Sequence, residues 1–272
     1  MAYNTLHIAS LNSGSNGNCY YIGNEEEAVL VDAGISCRET EKRMLRLGLS
    51  MRKVKAIFIS HEHTDHVKGL CNLASKYNLP VYISNGTLAG CRLVLKKDLV
   101  VSLQYDTPVR IGELHINAFP KFHDASEPCS FLIGYNGVQV GVFTDIGVVC
   151  EQLVHHFKQC HAAFLEANYD DELLAKSAYP YFLKRRISGG RGHLSNQQAL
   201  ELFNTHKPPF MTHVLLSHLS KDNNCPELAQ SLFKKQAGDV EVIVASRHEE
   251  TQVYAISEPS RVHSFLSGAP TN

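Results

Sequence analysis

The sequence predicts a mixed α/β protein built on buried sheets, and three observations carry that prediction. Short apolar runs rich in β-formers recur along the chain, as in Ala56, Ile57, Phe58 and Ile59. Helix-length segments between them have their own start and stop signals, such as Ser36 ahead of residues 37–47 and Gly48 behind them. Asn136-Gly137, the strongest short hairpin signal, separates two further β-forming runs. A hydrophobic content of 44% supplies a sizeable core.

In chain order, residues 6–11 and 19–22 read as strands around Ser13-Gly-Ser-Asn-Gly-Asn18, a turn that suits a tight hairpin or a nest of backbone N–H groups. Residues 28–31 form a third strand, ending in Asp32. After the helix capped by Ser36, residues 56–59 give a buried strand, followed by His61-Glu-His-Thr-Asp-His66 and a helix to about residue 77. Residues 81–84 are a strand, 87–95 a helix, and 100–103, 109–111 and 114–119 strands. A hairpin of 131–134 and 138–144 ends in Asp145, and a helix over 150–159 precedes a strand at 162–165 ending in Glu166. Ser195 caps a helix to residue 205. A strand at 214–217 runs into His218, and Pro226 opens a helix to about 236. Strands at 240–245 and 252–256 follow, with His248 unassigned between them. A poorly ordered tail is expected over 260–272. With no linker and no repeat, one domain is expected over residues 1–272.

The formal net charge of −1 shows no global positive field, so a nucleic-acid partner would have to be met by a local patch. The opening residues lack the charged start and apolar core of a signal peptide, and no run approaches the ~20 apolar residues of a membrane span. The eight cysteines form no CxxC pair, which argues against a zinc ribbon or thioredoxin motif and for free thiols in a reducing cytoplasm.

The chemistry is concentrated behind the strand at 56–59. Residues two apart in an extended segment point the same way, so His61 and His63 can hold one metal ion together. Asp65 and His66 diverge from that pair as the chain turns into a helix, and can reach a second ion. One histidine in a polar loop would be a solvated side chain. Three histidines and an aspartate in six residues, directly behind a buried strand, point to metal. A second cluster, Lys184, Arg185, Arg186 and Arg191, precedes His193 in a segment that also holds Tyr179, Tyr181, Gly189 and Gly190. Four cations there suit phosphate clamps better than a solvated helix end.

HEHTDH resembles the HxHxDH signature of the metallo-β-lactamase-fold hydrolases, and the resemblance runs from Ser10 to about Ser257. It implies a four-layer αββα sandwich with metals at one edge of the two sheets. By that resemblance one ion is held by His61, His63 and His123, and the other by Asp65, His66 and His218. Asp145 would bridge the two ions, and Asp32 would orient a metal-binding histidine. Zinc, manganese or iron suits such a shell without thiolate. Two divalent ions would ionise a water held between them to hydroxide and aim it at a phosphodiester.

Glu166 followed by His193 in GHLSNQQA, then LLSHLS, resembles the order of ribonuclease Z, in which a glutamate-supported histidine gives a proton to the leaving oxygen. Asp65, His193 and Glu166 are therefore the expected catalytic residues. Asp145 follows His123 by 22 positions and His218 follows Asp145 by 73. These spans leave no room for the substrate arm of ribonuclease Z or the inserted domain of ribonuclease J. A secreted β-lactamase usually has Arg where His66 stands. SGSNGNCYY and RGHLSN are similar to the compact YycJ/WalJ group, regarded as DNA exonucleases. The expected activity is thus metal-dependent phosphodiester hydrolysis of nucleic acid, with DNA as substrate in that group's manner. The alternatives are small cyclic phosphodiesters, as for PhnP-like enzymes, or a thioesterase or lactonase of the same fold.

Overall fold

The computed structural model describes residues 4–258, so the expected tail at 260–272 lies outside the described residues. The chain forms β1 (Thr5–Asn12), β2 (Cys19–Gly23), β3 (Ala28–Val31), α1 (Cys37–Arg46), β4 (Val54–Phe58), α2 (Thr64–Val67), α3 (Leu70–Tyr77), β5 (Val81–Ile83), α4 (Asn85–Gly90) and β6 (Val100–Ser102). It continues through β7 (Val109–Ile111), β8 (Leu114–Pro120), β9 (Cys129–Tyr135), β10 (Val138–Phe143), α5 (Glu151–Phe157), β11 (Ala162–Glu166), α6 (Asp171–Lys176) and α7 (Tyr181–Ile187). The last elements are α8 (Asn196–His206), β12 (His213–Ser217), α9 (Pro226–Lys234), β13 (Glu241–Val244) and β14 (Tyr254–Ser257).

Two seven-stranded sheets result, ordered β14-β1-β2-β3-β4-β5-β6 and β13-β12-β11-β10-β9-β8-β7. Each is antiparallel in one half and parallel in the other: β3 through β6 run parallel in the first sheet, and β10 through β13 in the second. Period-two alternation sorts the strand residues between faces. In β3, Val29 and Val31 join Phe58, Phe131, Val140, Phe164 and Leu215 in a core between the sheets. Ala28 and Leu30 face the other way, with Met44 of α1 and Leu70 and Leu73 of α3. In β11, Ala163 and Leu165 turn outward to Leu153 of α5, Phe203 of α8 and Phe233 of α9. Three apolar interfaces thus separate four layers, helices–sheet–sheet–helices.

Three readings needed correction. The helix expected from Asp65 to residue 77 is broken into α2 and α3 at Gly69, whose N–H donates to Ala33 O and whose Cβ, if present, would lie 1.9 Å from Ile35 O. The helix expected at 87–95 starts earlier and stops at Gly90, which is pressed against the Ser126 and Glu62 side chains. Helices α6 and α7 had no counterpart in the sequence reading. No residue of α7 is buried, so it lacks the apolar stripe that reveals a helix.

Candidate metal centre and active site

The site lies where the parallel strands of both sheets end. Asp32 follows β3, Asp145 follows β10 and His218 follows β12, and each has left-handed backbone, with φ of 62°, 56° and 56°. That conformation costs an L-residue energy, least for Asp and Asn. It breaks the strand's alternation and swings all three side chains into the gap between the sheets' ends.

The first sheet's contribution is laced backbone to backbone. Asn18 N–H donates to Asp65 O (2.7 Å), Ala33 N–H to His66 O (2.8 Å) and Gly34 N–H to Asn18 O (2.8 Å). A Cβ on Gly34 would lie 1.7 Å from Asp65 O, so only glycine permits this approach. Asp32 accepts from Ser60 N–H (2.8 Å) and Ser60 Oγ–H (2.9 Å), and from His66 Nδ1 at 2.7 Å. His66 Nδ1 therefore carries a proton, and the ring turns its Nε2 toward the centre. The 13–18 turn serves the same region: Asn18 Nδ2 donates to Asp65 Oδ2 (3.1 Å) and lies 3.1 Å from His66 Nε2.

The second sheet contributes one residue per strand end. His123 Nδ1 donates to Gly192 O (3.0 Å). Asp145 lies between the groups, its Oδ2 3.2 Å from His66 Nε2 and its Oδ1 3.4 Å from His218 Nε2. Glu166 Oε1 accepts from His193 Nδ1 (2.8 Å) and lies 3.3 Å from His218 Nδ1. Its Oε2 accepts from Ile146 N–H (2.7 Å) and Leu194 N–H (3.1 Å). One carboxylate thus aims two imidazoles. The His193 ring stacks on that of His218, centroids 5.2 Å apart, and is part-exposed at the mouth of the site.

The residues present fit divalent metal. Donor atoms of His61, His63 and His123 all lie within 4.8 Å of one another, as do those of Asp65, His66 and His218, and those of His61, His66 and Asp145. Asp145 Oδ2 is buried and makes no hydrogen bond. Burial holds the His61 imidazole well below its usual range, and burial lowers His123 to about 4 against the pull of Asp145, so both are neutral donors. Burial also opposes a charge on His66 and His218. The carboxylates around them, Asp145 foremost, outweigh it, raising His66 well above and His218 to about 10. The Asp65 and Asp145 carboxyls are held below their ordinary range by the adjoining histidines despite burial. The centre of this cluster attracts positive charge, and its nitrogen and oxygen donors without thiolate suit zinc, manganese or iron.

The basic segment is only partly at the site. Arg186 lines an open cleft of about 500 Å³ that reaches His63 and Asp65, and its Nε donates to Asp124 Oδ2 (2.6 Å). Lys184 Nζ donates to Ala175 O (2.6 Å), whereas Arg185 and Arg191 are exposed and make no side-chain bond among the described residues. Lys68 and Arg92 complete the cationic wall of the cleft, and the sequence reading missed both, since isolated cations give no signal. It also missed Ser60, Asn168 and Lys121. Asn168 Nδ2 donates to His218 O (2.7 Å), and buried Lys121 Nζ to Thr144 O (2.7 Å), beside Asp145. His248 lines a different cavity, beside Arg247, and belongs to none of the donor clusters.

The family model for the β-lactamase superfamily domain matches residues 27–219. Over 228 residues the chain is 35% identical to an exodeoxyribonuclease YycJ of Bacillus anthracis, covering 83% of this chain and 86% of that protein. It is 29% identical over 237 residues to an exodeoxyribonuclease WalJ of Streptococcus pneumoniae, covering 85% and 88%. Among solved structures, the metallo-β-lactamase fold protein YhfI from Bacillus subtilis superposes with a TM-score of 0.72 over 92% of this chain and 99% of that one, at 16% identity, a likeness of fold.

Proposed function

This chain belongs to the metallo-β-lactamase superfamily of metal-dependent hydrolases, and from that premise we propose that it is a DNA exonuclease with two divalent ions in its active site. The carrying observation is the Glu166–His193 pair, bonded at 2.8 Å beside the clustered donors. Phosphodiester hydrolysis needs a nucleophile, neutralised phosphate charge and a proton for a poor leaving oxygen. His61, His63 and His123 would hold one ion, Asp65, His66 and His218 the other, with Asp145 shared. When bound, such ions supply an ionised water at neutral pH and offset the charge on the scissile phosphate.

The chain's own residues do the rest. Asp32 fixes the tautomer of His66 and Glu166 that of His218, so these ligand nitrogens would meet the centre as lone pairs. Asp65, anchored by Asn18, orients the attacking water. In its doubly protonated form, with Nδ1–H held by Glu166, His193 presents Nε2–H to the leaving oxygen as general acid. Lys68, Arg92 and Arg186 neutralise flanking phosphates along the cleft. The DNA specificity is supported by the two relatives named as exodeoxyribonucleases. A cytoplasmic location is supported by eight cysteines that all stand free. Among the described residues no helix is long and apolar enough to cross a membrane.

The test uses linear DNA labelled at either end, incubated with zinc or manganese and with chelator. Stepwise release of nucleotides that depends on the ion is expected. Hydrolysis of a small cyclic phosphodiester or a thioester, with no nucleotide released from DNA, would overturn the reading.

A further inference from the structure

Among the described residues three aromatic side chains are more than half exposed: Phe122 at 52%, Tyr181 at 76% and Phe182 at 73%. All three lie in segments that carry site residues. Phe122 directly precedes His123. Tyr181 and Phe182 open α7, whose last residue, Ile187, accepts the His193 N–H at 2.8 Å. Exposed apolar residues scattered singly need no explanation, but two adjoining rings on a wholly unburied helix do.

That helix is not there for the core, since none of its residues is buried. It is fastened to the site by polar bonds instead. Arg186 pairs with Asp124, whose Oδ1 lies 3.4 Å from His123 Nε2 and 3.9 Å from His63 Nε2. Its composition, Tyr-Phe-Leu-Lys-Arg-Arg-Ile, has three cations and no acid. Residues four apart are neighbours on a helix surface, so Tyr181 adjoins Arg185 and Phe182 adjoins Arg186. Arg186 lines the cleft that reaches Asp65. Ring and cation are therefore neighbours on the helix surface, and the Phe182–Arg186 pair begins at the cleft.

We propose that α7 is a stacking platform for the unpaired end of a nucleic-acid strand, with Tyr181 and Phe182 taking base faces and Arg185 and Arg186 the adjoining phosphates. The proposal rests on the nuclease reading of the site and names the form of its substrate. Charge complementarity fixes the occupant: a run of three cations fits a polyanion. Rings beside cations fit a strand whose base faces are free, because paired bases bury theirs.

Binding alone tests the platform, measured by fluorescence anisotropy with chelator present so that nothing is cleaved. The probe is an oligothymidylate of about twelve nucleotides, within the span of known single-strand sites. Tyr181→Ala and Phe182→Ala should each weaken binding about tenfold. Phe182→Trp should bind as wild type, and Phe182→Leu should lose as much as Phe182→Ala. Arg185→Gln should lower the slope of log affinity against log salt by about 0.7. A blunt duplex of the same length should respond less than twofold. Unchanged oligothymidylate binding, equal losses on the duplex, or full binding by Phe182→Leu would overturn the platform. So would light scattering that shows α7 variants disrupting self-association while leaving oligothymidylate affinity intact. The nuclease reading fails separately, if the wild-type protein with metal releases no nucleotide from DNA.

Discussion

The two sheets feed the same centre in different ways. The first delivers His61, His63, Asp65 and His66 from one unbroken stretch, sealed to the 14–18 and 32–35 segments by backbone hydrogen bonds. The second delivers His123, Asp145, Glu166 and His218 from the ends of four strands, and holds them with side chains: Glu166, Asn168 and Lys121. A backbone-sealed group moves as a unit and tolerates no added atom at its seams. A group assembled from separate strand ends depends on a few shared polar contacts, and Glu166 and Asp145 are the residues most shared.

Removing a shared residue should therefore hurt most. Asp145→Ala should abolish hydrolysis and reduce bound metal, read by elemental analysis of the purified protein. Two tightly retained ions with full activity would remove Asp145 from between the donor groups. Next comes His193→Ala, with a loss of roughly 10²–10⁴-fold on DNA while metal content is kept. The loss should be much smaller on a p-nitrophenyl phosphodiester, whose leaving group departs without a proton. Equal losses on both substrates would reduce His193 to a helix-end residue.

The supports of the two groups can be set against each other. Asp32→Ala should weaken metal affinity by roughly 10–100-fold, because it is the carboxylate that orients His66. Asn168→Ala should cost less, because Glu166 Oε1 also lies within 3.3 Å of His218 Nδ1. Titration with a metal indicator ranks them, and the reverse order would make Asn168 rather than Glu166 the main support of His218. Gly34→Ala should lower stability by about 1–3 kcal/mol and disturb metal uptake, since the new carbon collides with Asp65 O. Gly190→Ala, with open space around it, should leave the melting temperature unchanged.

A smaller effect, seen only as pH falls, belongs to the end of the second sheet away from the site. Burial depresses His161 and His213 there, opposite in sign to His218 at the site edge. A depressed imidazole stays neutral when folded. Its contribution is thus complete above the free imidazole value near 6.5 and is lost as pH falls below it, because the unfolded chain takes up the proton first. Thermal melts of His161→Gln between pH 7 and 5 should be flatter than wild type.

The contrast also explains what was legible beforehand. HEHTDH announces itself because strand, turn and helix keep its donors within six residues. His123, Asp145 and His218 are single polar residues behind strands, and become candidates only once an order of partners is known. Strand positions survived from sequence to structure because buried β-forming runs leave few alternatives. Helix α7 was invisible because a helix that buries nothing has no apolar period. Asn18, Lys68, Arg92 and Asn168 work only through segments that fold onto them from elsewhere, so no local spacing marks them.

Among the described residues the last strand covers β1: β14 pairs with it at the sheet's outer edge, with Thr5 opposite Ser257. During synthesis β1 therefore waits for 252 further residues, the distance from 5 to 257, which at ribosomal speed takes on the order of ten to fifty seconds. For that interval its outer N–H and C=O groups are an open edge, able to pair with the same strand of a neighbouring nascent chain. His218 also emerges late, so the full donor set is exposed only shortly before that edge can close. A ribosome stalled before Tyr254 would hold a chain with every candidate ligand made and β1 still unpaired along one side, a natural target for chaperone capture.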